Sequence, residues 1–197
     1  YLYGLPIAVK DLKDVAGVRS TKGSPIFADY IPARSDYIVE TIEEKGGIVL
    51  AKSNTPEFGA GANTFNEVFG RTRNPWNPER TSGGSTGGGA SALASGMIAI
   101  AEGSDLGGSL RIPASFCGLV GLRPSPGLVP THPTGWLWDD LAVSGPMART
   151  AEDVALALQV MAGPDPRSPR SQSIEGRDFS RGLRDVQMDG LRLGYCP

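Results

Sequence analysis

The chain has 197 residues, of which 40% are hydrophobic and 20% are charged, and its formal net charge at pH 7 is −2. This length suits one domain with a hydrophobic core, or a large piece of a bigger domain. The near-neutral charge carries no sign of a surface for nucleic acid or for an anionic membrane, so we expect a neutral or anionic small-molecule substrate.

The cysteines and the apolar runs indicate the compartment. Cys117 and Cys196 lie far apart in the sequence and match neither a disulfide framework nor a zinc spacing, so we expect buried free thiols. We find no targeting leader at the start, and no apolar run approaches the roughly 20 residues of a membrane span. These features predict a soluble, cytoplasmic protein without membrane contact, and they leave homo-oligomer formation open.

The first predicted strand is the apolar run at residues 5–9, which ends in Lys10 and Asp11. A buried strand of this kind delivers polar side chains at its carboxyl end. After a loop, Ser35 precedes apolar residues at helical spacing, and a Gly-Gly pair at 46 and 47 ends the predicted helix.

A second strand is predicted at residues 48–51, followed over residues 53–84 by a loop with one helical turn. The pattern resumes with a small-residue helix at 90–97, a strand at 98–101 and a Gly-rich turn into a helix that begins near Ser109. The alternation of strands and helices favours an α/β fold with a mixed, mostly parallel sheet covered by helices.

The last predicted helix begins at a capping box, where Thr150 precedes apolar residues at helical spacing. Residues 163–190 hold few apolar anchors and predict an exposed connection. Alternating residues within 191–197 predict the start of a further strand. We therefore expect a core over residues 1–162, as part of a protein with missing sequence on both sides.

Several common chemistries do not fit the sequence. The single histidine, His132, lies in a Pro-rich loop, and the G-x-S-x-G elbow that accompanies a histidine base in α/β hydrolases is absent. One histidine and two distant cysteines argue against a metal site, and no D-x-D cluster suggests one. The Gly-rich segment at residues 82–89 lacks the lysine of a phosphate-binding loop. We expect no metal and no cofactor.

Two serines flanked by glycines carry the chemical signal. Ser85 lies in the segment SGGSTGGG, and Ser109 follows the turn GSDLGG, one predicted helix and one predicted strand later. Both turns can therefore return to the same edge of the sheet, where α/β proteins place their sites. The glycines beside Ser109 allow backbone N–H groups to converge as an oxyanion hole. In the absence of a histidine base, the available bases are carboxylates and a neutral lysine.

Three separated segments of the chain resemble the amidase signature family. Residues 81–124 resemble its Gly-Gly-Ser-Ser-Gly-Gly loop followed by Asp-x-Gly-Gly-Ser-x-Arg-x-Pro. Residues 5–11, LPIAVKD, resemble the lysine strand of the family, and residues 51–77 contain its K-x-N-x-x-E-F segment and Asn-Pro-Trp. The similarity extends to about residue 162, and it is specific because three motifs occur in the family's order.

The resemblance implies that Ser109 is the acyl nucleophile, Ser85 a bridging serine with a cis peptide bond, and Lys10 the terminal base. Thr86 stands where the family has a second loop serine, and it keeps the hydroxyl. The implied oxyanion hole is formed by the N–H groups of Leu106, Gly107, Gly108 and Ser109, with Asp105 and Arg111 supporting the turn. The implied substrate pocket is lined by Phe58, Gly59, Ala60, Gly61 and Trp136.

A lysine base must be neutral, so its pKa must fall by roughly three pH units from about 10.4, and burial at the end of an apolar strand lowers it. Alone, Lys10 also fits a surface lysine paired with Asp11, and Ser109 alone fits a helix cap. Together with the resemblance, these residues predict an amidase that cleaves linear amides through an acyl-enzyme. An amidotransferase subunit that releases ammonia from glutamine and a catalytically silent fragment of the same fold remain alternatives, although nothing basic in the chain favours tRNA.

Overall fold

Strands and helices alternate along much of the chain, and the computed structural model describes residues 1–184, 189–192 and 194. The strands are β1 (Pro6–Lys10), β2 (Ile48–Ser53), β3 (Phe65–Asn66), β4 (Gly70–Arg71), β5 (Ile100–Asp105), β6 (Val120–Gly121) and β7 (Val143–Ala148). The α-helices are α1 (Tyr37–Glu44), α2 (Gly87–Ala94), α3 (Arg111–Cys117), α4 (Ala151–Met161) and α5 (Arg181–Arg184). Short 3-10 helices cover Pro25–Phe27 and Glu57–Gly59.

A five-stranded sheet with the order β2-β1-β5-β7-β6 forms the centre of the described structure. β1 pairs in parallel with β2 and with β5, whereas β7 pairs antiparallel with β5 and with β6. β7 therefore runs against the other strands of this sheet. The predicted α/β fold with a mixed, mostly parallel sheet is confirmed. A separate antiparallel hairpin is formed by β3 and β4.

Side chains alternate along β1 between two apolar clusters, one on each face of the sheet. Ile7 and Val9 join the cluster that contains buried residues of α1 and α4. Ala8 joins the cluster that α2, α3 and β7 complete. Lys10 follows Ala8 by two positions, so its side chain projects on the α2 side, toward the turn that carries Ser85. The sequence pattern thus delivers a lysine into a layer that water does not reach.

Helix α2, Gly87–Ala94, begins and ends earlier than the predicted residues 90–97. At its start, close neighbours require glycine. A Cβ on Gly88 would lie 2.3 Å from the backbone nitrogen of Asn54. Tight packing against this loop, rather than helix propensity, brings the glycines into the helix. The following strand, β5, extends beyond the predicted residues 98–101 as far as Asp105.

The predicted helix ends are confirmed for α4 and in part for α1. At the start of α4, the hydroxyl of Thr150 accepts a hydrogen bond from the N–H of Asp153 at 3.1 Å. Gly46 follows the end of α1 with a φ of 82°, a conformation that glycine adopts at little cost. Asp36, however, takes the N-cap position predicted for Ser35, whose hydroxyl instead accepts a backbone N–H from a preceding loop.

The sequence patterns do not predict β3, β4, β6 and β7. Three of these strands have only two residues each, too few to show alternation. β7 is longer, but Gly145 and Pro146 interrupt its pattern, and both residue types usually indicate a turn. All of its residues are buried, so its position in the sheet determines its conformation. The helical turn expected within residues 53–84 is present as the 3-10 helix Glu57–Gly59.

The expected exposed connection over residues 163–190 is only partly exposed where it is described. Ile174 and Phe179 pack against the apolar cluster of α1 and α4, so a few apolar side chains anchor this segment. The first residues of the predicted strand at 191–197 are not in a strand, and the rest, apart from Gly194, lies outside the described residues. The division into core and connection stays a prediction.

Cys117 is buried and free, as predicted, and burial raises the pKa of its thiol to about 11. Cys196 lies outside the described residues. Within the described part of the chain, no helix has the length and apolar character that a membrane crossing requires.

Candidate active site

The carboxyl ends of β1 and β5 bring the predicted residues to one edge of the sheet. Because these strands are parallel neighbours, Lys10 at the end of β1 lies beside Ser104 and Asp105 at the end of β5. Ser85 comes from the turn before α2, and Ser109 from the turn before α3. The site is thus located where parallel strands end and helices begin, as is typical of α/β proteins.

Lys10 is 0% exposed, and its amine contacts two hydroxyl groups. Nζ lies 2.7 Å from Ser85 Oγ and 3.0 Å from Ser104 Oγ. Burial lowers the pKa of Lys10 to about 7, with a further lowering by Lys13, although the charges of Glu102 and Asp105 act in the opposite direction. An amine with this pKa is largely neutral at mildly alkaline pH, which a proton acceptor requires.

The two serine turns are joined through their backbones. The N–H of Thr86 donates to the carbonyl oxygen of Ser109 at 3.2 Å, and the Gly84–Ser85 peptide bond is cis, as the resemblance implies. The hydroxyls of Ser85 and Ser109 do not form a hydrogen bond with each other. Catalytic hydrogen bonds of this kind often shorten only when substrate is bound. Ser109 is half-buried, and it borders an open cavity.

Asp105 organises the turn that leads to Ser109. Its carboxylate accepts hydrogen bonds from the N–H groups of Gly108 at 2.8 Å and Leu110 at 3.1 Å, and two more at 3.0 Å from the Arg111 guanidinium. Arg123 lies 3.6 Å away on the same carboxylate. Burial by itself raises the pKa of Asp105, but these bonds outweigh it and lower the pKa to about 2. The carboxylate is therefore ionised throughout the neutral range.

The turn expected to form an oxyanion hole differs from the expectation at one donor. Gly108 is not available, because its N–H is bound to Asp105. The N–H groups of Leu106, Gly107 and Ser109 have no acceptor among the described residues, so they remain available to a ligand. The Asp105 carboxylate thus accepts the Gly108 N–H, which the resemblance implied would bind the substrate oxygen.

A cavity of about 410 Å³ opens in front of Ser109. It is lined by Phe58, Gly59, Ala60, Gly61, Ala62, Gly84, Leu106, Gly107, Ser109 and Ile112. Four of the five expected pocket residues are therefore brought to Ser109. Trp136 is not among them: it is 79% exposed and lines a different cavity, on the loop between β6 and β7. Its position in the sequence, far from the serine motifs, could not show on which side of the sheet this loop lies.

Asp11 does not pair with Lys10, although the two residues are adjacent in the sequence. Its carboxylate lies 2.8 Å from the amine of Lys52 and accepts hydrogen bonds from the backbone and hydroxyl of Thr21. Neighbouring strand positions point to opposite faces, so Asp11 and Lys10 face different surroundings. The alternative of a surface ion pair between Lys10 and Asp11 is therefore not observed, because Asp11 pairs with Lys52.

Motif reasoning missed Ser104, which contacts the amine of Lys10. A signal was available, because Ser104 is a polar residue at the carboxyl end of the strand next to β1. Thr86 is fully buried, and its hydroxyl donates to the carbonyl oxygen of Ser104 at 3.4 Å, so it links the serine turn to the end of β5. Within the described part of the chain, no group of three or more His, Cys, Asp or Glu residues could hold a metal ion.

Curated relatives of this chain include components of a transferase. The chain is 44% identical over 193 residues to a glutamyl-tRNA(Gln) amidotransferase subunit of Carboxydothermus hydrogenoformans, and the match covers 98% of this chain and 40% of that relative. The subunit of the same name from Sulfolobus acidocaldarius is 40% identical over 193 residues, with the same coverage. The chain thus spans about 40% of the length of these relatives.

Solved structures with the same fold include both a transferase component and hydrolases. The glutamyl-tRNA(Gln) amidotransferase subunit of Thermotoga maritima has a TM-score of 0.81 and 38% identity, covering 86% of this chain and 37% of that one. A 6-aminohexanoate cyclic dimer hydrolase has a TM-score of 0.86 and 34% identity, covering 92% and 39%. A bacterial aryl acylamidase of the amidase signature family has a TM-score of 0.85 and 33% identity, covering 91% and 38%.

The sequence profile of the Amidase family matches residues 1–197. This match extends over the strand of Lys10, the two serine turns and the connection beyond α4. Together with the shared fold and the relatives above 30% identity, it decides the family. The chain belongs to the amidase signature family.

Proposed function

We propose that this chain is the catalytic part of an amidase that hydrolyses a carboxamide bond through an acyl-enzyme on Ser109. The observation that carries the proposal is the surroundings of Lys10. Its amine is fully buried, lies 2.7 Å from Ser85 Oγ and has no carboxylate at ion-pair distance among the described residues. A buried amine with hydroxyl partners alone is suited to accept a proton near neutral pH.

In the acylation step, Ser109 Oγ attacks the carbonyl carbon of the amide. Its proton moves to Ser85, which transfers its own hydroxyl proton to Lys10 Nζ. The negative charge that develops on the substrate oxygen is stabilised by the free N–H groups of Leu106, Gly107 and Ser109. The C–N bond then breaks, Ser85 protonates the leaving nitrogen and regains a proton from Lys10, and ammonia or an amine is released.

Deacylation uses the same groups with water as the nucleophile. Water attacks the ester carbon of the acyl-enzyme and passes a proton through Ser85 to Lys10. The bond to Ser109 Oγ breaks, the serine oxygen is protonated by the same relay, and a carboxylic acid is released. Lys10 is neutral again at the end, so the cycle balances without a metal or cofactor.

The cavity wall favours a neutral acyl group. The side chains that line it are small or apolar, and Gly59 and Gly61 leave room close to Ser109. None of the described lining residues carries a charge that could bind an ionic group of the substrate. Apolar walls with a few backbone donors are typical of pockets for small neutral ligands. We therefore propose simple linear amides as the substrate class.

A second candidate function is supported by the 44% identity to a component of glutamyl-tRNA(Gln) amidotransferase. Such a protein would release ammonia from glutamine and would act with a partner subunit. The two functions differ in substrate preference, because glutamine carries two charged groups and a simple amide carries none. Hydrolysis rates for glutamine and for a panel of aliphatic, aromatic and long-chain amides separate them, and we expect the simple amides to react faster.

The nucleophile is tested by covalent labelling of the full-length protein with a fluorophosphonate probe. We expect an adduct on Ser109 that disappears in Ser109→Ala. Ser91→Ala is the matched control, because Ser91 lies on α2 with its hydroxyl bound to the backbone of Arg73, and this variant should label normally. An unlabelled wild-type protein that is folded would support the silent alternative and overturn the proposal.

A further inference from the structure

Glu102 is a carboxyl group buried in the centre of the sheet that the proposed relay does not use. It lies on β5, between β1 and β7, and is 0% exposed. A carboxylate is rarely buried to this extent unless a cation pairs with it. In the described part of the chain, no lysine or arginine side chain forms an ion pair with Glu102. Its presence therefore needs an explanation.

One oxygen of Glu102 holds the backbone of Lys10. The N–H of Lys10 donates to Glu102 Oε2 at 3.1 Å. The parallel ladder between β1 and β5 pairs Ala8 with Ala101 and goes no further. Where the two strands separate, the side chain of Glu102 thus supplies the acceptor that a strand backbone would otherwise provide. This bond orients the residue whose amine reaches Ser85.

The other oxygen of Glu102, Oε1, has no hydrogen-bond partner among the described residues. A buried ionised carboxylate with an unpartnered oxygen costs far more free energy than a neutral carboxyl group. A proton on Oε1 removes the charge and leaves Oε2 free to accept the Lys10 N–H. The O–H that this creates also lacks an acceptor among the described residues, but a neutral unpartnered group costs less than a buried charge.

The charged groups around Glu102 are already engaged elsewhere. Lys13 and Asp36 face Glu102 but lie 3.9 Å from each other, and Asp105, which faces Lys10, is bound by an arginine. Burial is the largest influence on Glu102 and raises its pKa, and the charge of Asp36 raises it further. Lys13 and the N–H and amine of Lys10 lower this pKa, but burial outweighs them. A proton moved from Glu102 to Lys10 would create two buried charges that do not touch.

We propose that Glu102 is a positioning residue for Lys10, a neutral carboxylic acid that fixes the lysine backbone while leaving the neighbouring amine uncharged. The inference rests on the proposed role of Lys10 as the base. Under this proposal the Lys10 N–H needs the acceptor that Glu102 provides, whereas a negative charge at this point of the sheet is not needed. An ionised Glu102 would stabilise the ammonium form of Lys10 and weaken it as a proton acceptor.

The protonation state is tested directly by carbon-13 NMR of the full-length protein with carboxyl-labelled glutamate. The Glu102 signal is assigned by its absence in Glu102→Gln, and solvent-exposed glutamates in the same spectrum provide the reference for ionised groups. We expect the Glu102 signal at the position of a protonated acid from pH 6 to pH 8, far above the ordinary glutamate pKa of about 4.3. A signal at the ionised position in this range overturns the proposal.

The effect on Lys10 is tested by the pH profile of kcat/KM. In Glu102→Gln the amide oxygen still accepts the Lys10 N–H without a charge, so we expect activity within about threefold and the acidic limb within about 0.3 pH units of wild type. If Glu102 were ionised, this variant would lose a charge that raises the Lys10 pKa, and the limb would move to lower pH by about one unit or more. That shift contradicts the inference.

Glu102→Leu removes the acceptor while adding no charge. We expect kcat to fall about tenfold or more with little change in KM, because the base is misplaced and the substrate cavity is untouched. If kcat in a folded Glu102→Leu protein is normal, the positioning role is wrong. The proposed function is tested separately. Full activity in a Lys10 variant would show that Lys10 is not the base, whatever the state of Glu102. An ionised Glu102 would overturn only the inference about Glu102, because the relay could still operate with a weaker base.

Discussion

Lys10 and Lys52 lie on neighbouring strands, and they differ in the features that suit a lysine to act as the proposed base or to stabilise the fold. In the ladder between β1 and β2, Lys52 pairs with Val9, and Lys10 pairs with Ser53. Burial is the largest influence on both amines and lowers the pKa of each. Position at the carboxyl end of a strand and removal from water are thus common to the two residues.

The partners of the two amines differ. Lys52 lies 2.8 Å from a carboxylate oxygen of Asp11 and also donates to the carbonyl oxygen of Lys13 and to Ser20 Oγ. The hydrogen bond and charge of Asp11 oppose the effect of burial on the Lys52 pKa. Among the described residues, the amine of Lys10 contacts only hydroxyl groups. A lysine that acts as a base therefore requires burial together with neutral partners.

The largest expected effect comes from Lys10→Met, which removes the proposed base and keeps an apolar chain of similar length. We expect kcat to fall about 10²–10⁴-fold, the usual contribution of a general base. The melting temperature should stay level or rise, because a buried amine without a counter-charge does not stabilise the fold. Amide turnover and thermal unfolding of the full-length variant measure both. Near-normal turnover would show that Lys10 is not the base.

Lys52→Met should have the reverse profile. It leaves the buried carboxylate of Asp11 without its cation, so we expect the free energy of unfolding to fall by about 3–5 kcal/mol. The kcat of the folded protein should change little, since the amine of Lys52 faces away from Ser85. Denaturant unfolding and turnover below the transition test this pair of outcomes. The double variant Asp11→Asn, Lys52→Met is the control, and it should recover part of the lost stability.

The pH dependence of activity tests whether the base is a buried or an exposed lysine. Burial lowers the pKa of Lys10 to about 7, and the base acts only when it is deprotonated. Activity is therefore present above this pKa and lost as the pH falls through it, by about tenfold per pH unit at the acidic end. A kcat/KM profile from pH 5 to pH 9 measures this limb. A limb that sits near pH 10, as for an exposed lysine, would contradict a buried neutral base.

The smallest effect is expected for His132→Ala. His132 is the single histidine of the chain, and its described hydrogen bond is a backbone one, in which its carbonyl oxygen accepts the N–H of Tyr37 at 3.0 Å. Since the substitution keeps that carbonyl, we expect kcat within about twofold of wild type. Turnover of the purified variant at pH 8 measures it. A loss of several orders of magnitude would mean that a histidine, and neither lysine, supplies the base.

The three residues of the proposed relay could be predicted because each lies in a motif that dictates its own local geometry. A strand end carries Lys10, and glycine-rich turns carry Ser85 and Ser109, so their convergence follows from parallel strands alone. Ser104 lies at the start of the second glycine-rich turn and Glu102 just before it, but neither position shows by itself which neighbour its side chain contacts. Their roles depend on contacts across the sheet.

The pocket and the oxyanion turn each differ from the sequence prediction at one residue. The resemblance implied that Trp136 lines the pocket, but the path of the loop between β6 and β7 places it at another cavity. The resemblance implied that the N–H of Gly108 is an oxyanion donor, but this N–H donates to the Asp105 carboxylate. The sequence pattern of β7 is interrupted by Gly145 and Pro146, so it does not indicate a strand. In each case a contact with another part of the chain overrides the local preference.

By itself, the sequence predicted strands β1, β2 and β5, helices α1 to α4, the glycine turns and the side chains of the proposed relay. These features depend on residues close together in the chain, where side-chain periodicity and backbone freedom act. Only the tertiary structure decided the pKa of the Lys10 amine, because burial is the largest influence on it and the charge of Glu102 acts from 92 positions away. Burial and through-space charge act over distances in the folded protein, which the linear sequence does not contain.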